Sequence, residues 1–427
     1  MKKRLRQRSL GHALALAMVA LTLCVPTHAE PRYQVLHSFN GTDGSGPWGG
    51  VVVGQKGNLF GTAVGGGAGG CCGTVFELVP QQDGEWTESM LHAFENENSH
   101  DGAVPYGIVI FDAAGNLYGT TAKGGAHNWG TAFELTPGSG GWTESVVHDF
   151  CAQSGCRDGG APNAGLTIDA AGNLYGTATG GGVNGGGVVF ELIPGSGGWD
   201  ETVLHSFHAS SDGHPAPGGS NPYAGMILDG SGNLYGTTYN GGVHGVGAVY
   251  ELQRISGGWK EIVLHGFNNN GKDGFLPGWG ALNMDASGNL YGTTGFGGTN
   301  ICYDYSCGTV FKLTKGANGR WTETILYDFK GGSSGYSPNA GVVMDKVGNL
   351  YGTTDYGGDP NCGCGVIYKL SPRGNGRWKY TVLHVFGIGD DGGVPEGNLV
   401  LDKKGNLYGS TVLGGATGNG VVFELTP

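Results

Sequence analysis

The string Gly-Asn-Leu-aromatic-Gly-Thr/Ser occurs seven times, beginning at Gly57, Gly115, Gly172, Gly232, Gly288, Gly348 and Gly405, with steps of 58, 57, 60, 56, 60 and 57 residues. A period this regular means one small structural unit repeated along the chain, each copy burying its faces against the next. The copy around Gly172 shows the content of a unit. An apolar run, Gly165 to Ile168, meets Asp169-Ala170-Ala171-Gly172-Asn173, in which Asp caps a tight turn and Gly and Asn tolerate positive φ. Leu174 to Ala178 reads as a second strand, Val188 to Leu192 as a third and Trp199 to Phe207 as a fourth. Short strands rich in Val, Ile, Thr and aromatics between Gly and Pro punctuation predict an all-β array. Four strands cannot cover both of their own faces, so the copies are expected to stack radially as propeller blades.

The termini fix the closure. Tyr33 to Phe39 has the sequence of an isolated fourth strand, and the chain stops after a third, Val421 to Leu425. The N-terminal strand is expected to complete the last blade and hide an edge that would otherwise template aggregation. The expectation is a seven-bladed β-propeller of four-stranded blades, one domain over residues 30–427.

Composition agrees. Glycine supplies 90 of 427 residues without a three-residue period, and charged residues are only 14%, which excludes collagen and a charge-driven disordered chain. Lys2, Lys3, Arg4, Arg6 and Arg8 precede an apolar run from Leu14 to Val25 and a Thr27-His28-Ala29 cleavage pattern, so residues 1–29 read as a signal peptide. The run is too short to span a membrane comfortably, and no later stretch approaches the needed length. Without its five bases, 18 basic residues face 35 acids, a net charge of −17. Nucleic acid and anionic membranes are poor partners for such a surface. An exported monomer is expected, in the periplasm, on the cell surface or outside the cell.

The unit Gly-Asn-Leu-Tyr-Gly-Thr-Thr, then Gly-Gly, Gly-Thr-Val-Phe-Glu-Leu, Trp-Thr-Glu and Leu-His-x-Phe resembles the GloVer tandem repeat of bacterial "choice-of-anchor" exported proteins. The resemblance covers nearly the whole chain after residue 30 and implies export, but brings no activity or catalytic residues. The Asp-x-x-Gly-Asn turn is more loosely similar to that of NHL-type propellers, which bears on fold alone.

In a propeller, the fourth-to-first and second-to-third connections emerge on one face. Here those connections vary in length and composition, and binding usually lives in variable loops. All eight cysteines beyond residue 29 lie there: Cys71 with Cys72, Cys302 with Cys307, and Cys362 with Cys364 between second and third strands, and Cys151 with Cys156 between blades. An even count in an exported chain favours disulfides. Asp-Gly-x-x-Pro precedes most first strands, at Asp43, Asp101, Asp158, Asp273 and Asp391, with Asp212 further from its proline and Ser334 in one copy. These Asp residues read as turn caps; the rival is one or two local Ca²⁺ sites, and no other cofactor is expected.

After those prolines come Trp48, Tyr106, Asn163, Tyr223, Trp279, Asn339 and Glu396, which should ring the central channel. Trp129 and His127 add polar aromatics on a neighbouring loop, as do Tyr303, Asp304 and Tyr305. Flat rings mixed with amides suit sugar stacking or peptide docking. His37, His92, His148, His205, His265 and His384 share one fourth-strand position, as do six Trp residues at another, so both sets read as packing; the unrepeated His100, His127, His208, His214 and His244 are better site candidates. Glu77, Glu134, Glu191, Glu251 and Glu424 alternate with Lys312 and Lys369 at one third-strand position, which reads as a solvated face. No nucleophile elbow, phosphate loop or His-Glu-x-x-His string is present. The expected function is binding or scaffolding of an extracellular glycan or peptide. The alternative is a propeller enzyme, a metal-assisted lyase, lactonase or glycosidase, at the same mouth.

Overall fold

A computed structural model describes residues 30–67, 69–210, 216–302, 305–387 and 389–427. The expected signal peptide lies outside these residues, as do Asp212, His214, Tyr303 and Asp304. Seven antiparallel sheets form a ring, the first six ordered inner to outer in chain sequence, as in Val51–Val53, Leu59–Ala63, Thr74–Pro80 and Trp86–Ala93. The last sheet runs Val400–Leu401, Leu407–Thr411, Val421–Thr426 and then Arg32–Ser38, so the N-terminal strand closes it as the sequence predicts. Residues Pro31–Pro427 form one compact unit. Among the described residues no helix is long and apolar enough to cross a membrane.

The turns are built as their sequences imply. Asp112 Oδ1 accepts the amides of Ala114, Gly115 and Asn116, and Asn116 Nδ2 donates to its other oxygen. Short apolar strands then cooperate between blades. The Phe that ends each fourth strand is fully buried and meets an aromatic of the next blade's third strand edge-on at every junction: Phe94 on Phe133, Phe150 on Phe190, Phe207 on Tyr250, Phe267 on Phe311, Phe329 on Tyr368, Phe386 on Phe423 and, across the closure, Phe39 on Phe76. The ring centroids lie 5.0 Å apart at the closure and 5.4 Å apart at the first junction, so the closing junction packs like the internal ones.

The proline after each blade crossing makes a second fastener. A Cβ on Gly420 would stand 2.7 Å from Pro47 Cδ and 2.2 Å from the Thr411 carbonyl, and Gly73 meets Pro105 in the same way. Only glycine fits beneath that ring, and at φ of +92° it also takes a backbone that other residues resist. The residue before each proline is itself left-handed, including Val104, Ala161, Ser337 and Val394, although β-branched side chains rarely tolerate this. The conformation lets the Val104 amide reach the Cys72 carbonyl of the preceding blade while its own carbonyl accepts from Ala122. Because the strain recurs at equivalent places around the ring, it belongs to assembly and marks no special site.

A third layer sits at the rim of each junction. His92 Nε2 lies 3.1 Å from Asp101, and His37 lies equally close to Asp43. His37, His92, His265 and His384 are hydrogen-bonded packing, while His148 stands 3.7 Å from Asp158 and His205 3.6 Å from Glu261; the Asp residues also cap turns, as when Asp158 accepts the Ala152 and Gln153 amides. Four such pairs also meet a Glu from the next outer strand, Glu88, Glu144, Glu201 or Glu323, whose carboxyl is pushed up by burial first and by the neighbouring Asp second, while at His384 and Asp391 Tyr33 takes that place. Where Tyr327 replaces His, Ser334 and Tyr380 replace the acids, and the two Tyr rings stack at 4.1 Å.

One expectation fails. The third-strand glutamates are not on a solvated face: Glu191 is 8% and Glu251 3% exposed, and Glu134 and Glu191 accept the hydroxyls of Tyr118 and Tyr175. Lys312 and Lys369 instead lie over Tyr291 and Tyr351, at 5.4 and 5.2 Å. The charge reversal is tolerated because a tyrosine offers a hydroxyl donor to one sign and a π face to the other.

Candidate functional site

Each first strand starts at the channel wall, so the residue after the proline is delivered to the channel mouth. A cavity of about 460 Å³ opens there. Trp48, Tyr106, Asn163, Tyr223, Trp279 and Glu396 all line it, six of the seven residues that the repeat places in this ring. The seventh, Asn339, is drawn aside to hydrogen-bond Asp355. Deeper walls come from Ile108, Leu166, Thr167 and Met226, and Thr179 and Asn398 add polar groups.

The aromatic residues reach across the channel. Trp48 and Trp279, from the first and fifth blades, stack with centroids 5.5 Å apart at 27°. Tyr106 meets Trp48 edge-on at 5.4 Å, and Tyr223 leans on Trp279 at 6.2 Å. Trp279 remains 39% exposed. Trp129, 45% exposed, stands beside the cavity rather than in it: its ring covers Gly160, and its carbonyl accepts the amide of Ala161, which does line the cavity. His127 is exposed and does not line the cavity.

One side of the mouth is acidic. Among the described residues, Glu396 is the only charged side chain lining the cavity, and burial pushes its carboxyl up to about 7. Asp355 is 2% exposed, and burial first and Glu396 second hold it well above the usual carboxylate range, against the opposing hydrogen bond from Asn339. Glu396 Oε2, Asp355 Oδ1 and Trp48 Nε1 are buried and meet no hydrogen-bonding partner among the described residues. Asp355 was not among the expected site residues. It follows a second strand at a position held by Val64, Ala122, Thr179, Tyr239, Gly295 and Val412 in the other blades, and that departure was the available signal.

The cysteines lie at bonding distance in four pairs, Cys71–Cys72, Cys151–Cys156, Cys302–Cys307 and Cys362–Cys364. Away from the channel, ligand atoms of His265, Asp273 and Glu323 lie within 4.8 Å of one another, a possible metal-binding triad. It supplies two carboxylates and an imidazole, fewer oxygens than Ca²⁺ prefers, and it repeats the His-Asp-Glu packing of other junctions.

The model of the Gloeobacter/Verrucomicrobia repeat matches residues 22–156, 72–300 and 222–427. No curated protein matches the chain in sequence. Among solved structures, an oxidoreductase (glucose dehydrogenase) from Thermus thermophilus is 14% identical with a TM-score of 0.44, over 93% of this chain and all of its own. A gluconolactonase from Xanthomonas campestris is 11% identical with a TM-score of 0.40, over 92% of this chain and 89% of its own. Neither likeness bears on what this chain does.

Proposed function

The chain belongs to the Gloeobacter/Verrucomicrobia repeat family, and from that premise we propose that it is an exported binding module whose channel mouth holds a segment of extracellular glycan or peptide. The observation that carries this reading is the convergence of six residues, each from a different blade, on one cavity of about 460 Å³. That volume falls within the roughly 300–1,000 Å³ of small-ligand pockets, and its aromatic wall with a few polar groups has the usual composition of such sites. The residues that repeat identically are engaged in holding blades together, so the unrepeated ones are left for recognition. On this reading residues 1–29 are a removed signal peptide, residues 30–427 act as one monomeric domain, and the four cysteine pairs suit an oxidising compartment.

Screening glycan and peptide arrays, followed by calorimetry on the best ligand, tests the reading. Trp48→Ala and Trp279→Ala should each weaken binding about tenfold or more, a loss of about 1.4 kcal/mol, while leaving the melting temperature nearly unchanged. Absence of any saturable ligand, or binding indifferent to both changes, would contradict it.

A second reading, an enzyme of the lyase, lactonase or glycosidase kind at the same mouth, draws on the unrepeated acids Glu396 and Asp355. A carboxyl held near 7 beside an apolar wall is suited to donate or take a proton at neutral pH. Turnover of a bound sugar or lactone that disappears in Glu396→Gln while binding persists would favour this reading over simple binding.

A further inference from the structure

We propose that the cavity selects a protonated amine, carried on an aminosugar unit of a glycan, with Glu396 as its anchor. The proposal rests on the channel-mouth reading and names the class of ligand. Glu396 lines the cavity with no Lys, Arg or His beside it in the lining, and its buried Oε2 has no donor among the described residues. A buried carboxylate oxygen without a donor is costly, and an ammonium group supplies both donor and countercharge. Asp355 is its buried neighbour and also has an oxygen without a partner among the described residues; burial and Glu396 favour its neutral form, so Glu396 is the group left to carry the charge.

The aromatic wall points the same way. Trp48, Tyr106, Tyr223 and Trp279 line the cavity, and a ring face that a ligand meets there presents the negative side of its quadrupole, which attracts cations and repels acidic sugars. A sugar fits better than a lysine side chain. Asn163, Thr167, Thr179 and Asn398 add polar atoms among the aromatic residues, held in place by bonds such as those from Thr167 to the Met226 carbonyl and from the Gly341 amide to Asn398, and their spare lone pairs suit a polyhydroxylated ring; a slender alkylammonium would use fewer of them and leave most of the cavity unfilled.

Calorimetry on the purified protein with three oligosaccharide probes tests this: a glucosamine tetramer, its N-acetylated form and a glucose tetramer. The glucosamine tetramer should bind about tenfold or more tightly than the other two. Glu396→Gln should remove that difference, bringing the glucosamine tetramer to the affinity of the neutral probes, and added salt should weaken only the amine in the wild type. Equal affinity for all three probes would overturn the amine anchor while leaving the channel mouth as a glycan site. Binding of none would overturn the aminosugar anchor and leave the channel-mouth reading to the array screen, and a lysine tripeptide that outcompetes the glucosamine tetramer would replace the aminosugar by a basic peptide.

Discussion

At Asp355 the structure carries a cost that a single substitution can measure. Its carboxyl is fully buried, is held well above the usual range by burial and then by Glu396, and has one oxygen without a partner. A group whose folded pKa is raised contributes stability below its unfolded pKa, and that contribution is lost as pH rises through the folded value. Asp355→Asn keeps an acceptor for Asn339 and never ionises. It should raise stability at neutral pH by about 1 kcal/mol or more, since each unit of pKa displacement corresponds to about 1.4 kcal/mol; a lower melting temperature would show that the native acid is a well-compensated charge. Asp355 also marks where reading the sequence stops. Trp48, Tyr106, Tyr223, Trp279 and Glu396 are legible once the repeat is phased, because they share one register position. Asp355 matters only through its contact with another blade, and the stacking of Trp48 on Trp279 depends on the diameter of the ring; neither is a local property.

Along the outer strands, the His-Asp-Glu clusters make junction stability depend on pH in two opposing ways. Burial lifts Glu201 from its usual 4.5 to about 7, with Asp158 adding to the lift, so the stability it lends at low pH is lost as pH rises through about 7. His205 is lowered to about 4 by burial and by His208, so its contribution is lost as pH falls below the usual histidine value toward about 4. The two slopes leave the junctions most stable in the mildly acidic window between. Glu201→Gln, permanently neutral, should match the wild type near pH 5 and exceed it by about 1 kcal/mol near pH 8, the full pKa displacement being discounted for partial exposure. Thermal melts at the two pH values check this, and a destabilised variant at both would refute the pH assignment. The sequence foretold histidine packing but not the glutamate, although in Trp86-Thr87-Glu88 the period of two sets the Glu on the same half-buried face as the Trp.

For the ring as a whole, the closing junction should behave like any other. Phe39 on the N-terminal strand and Phe150 within the chain are both fully buried against the next blade's third strand, at 5.0 and 4.9 Å. Phe39→Ala and Phe150→Ala should therefore cost similar amounts, about 3–5 kcal/mol each. A nearly silent Phe39→Ala would mean that the terminal strand is an appendage. The number of blades and their closure were legible because seven copies of one string and two unmatched terminal strands admit little else. What gathers at the centre was legible only as a set of residues, since convergence is a property of the closed ring. The most direct measurement of the central claim is a crystal structure of the protein with its tightest-binding oligosaccharide. The sugar should lie in the channel cavity against Trp48 and Trp279 with a polar group on Glu396; a sugar bound on the outer strands or the opposite face, with that cavity empty, would contradict it.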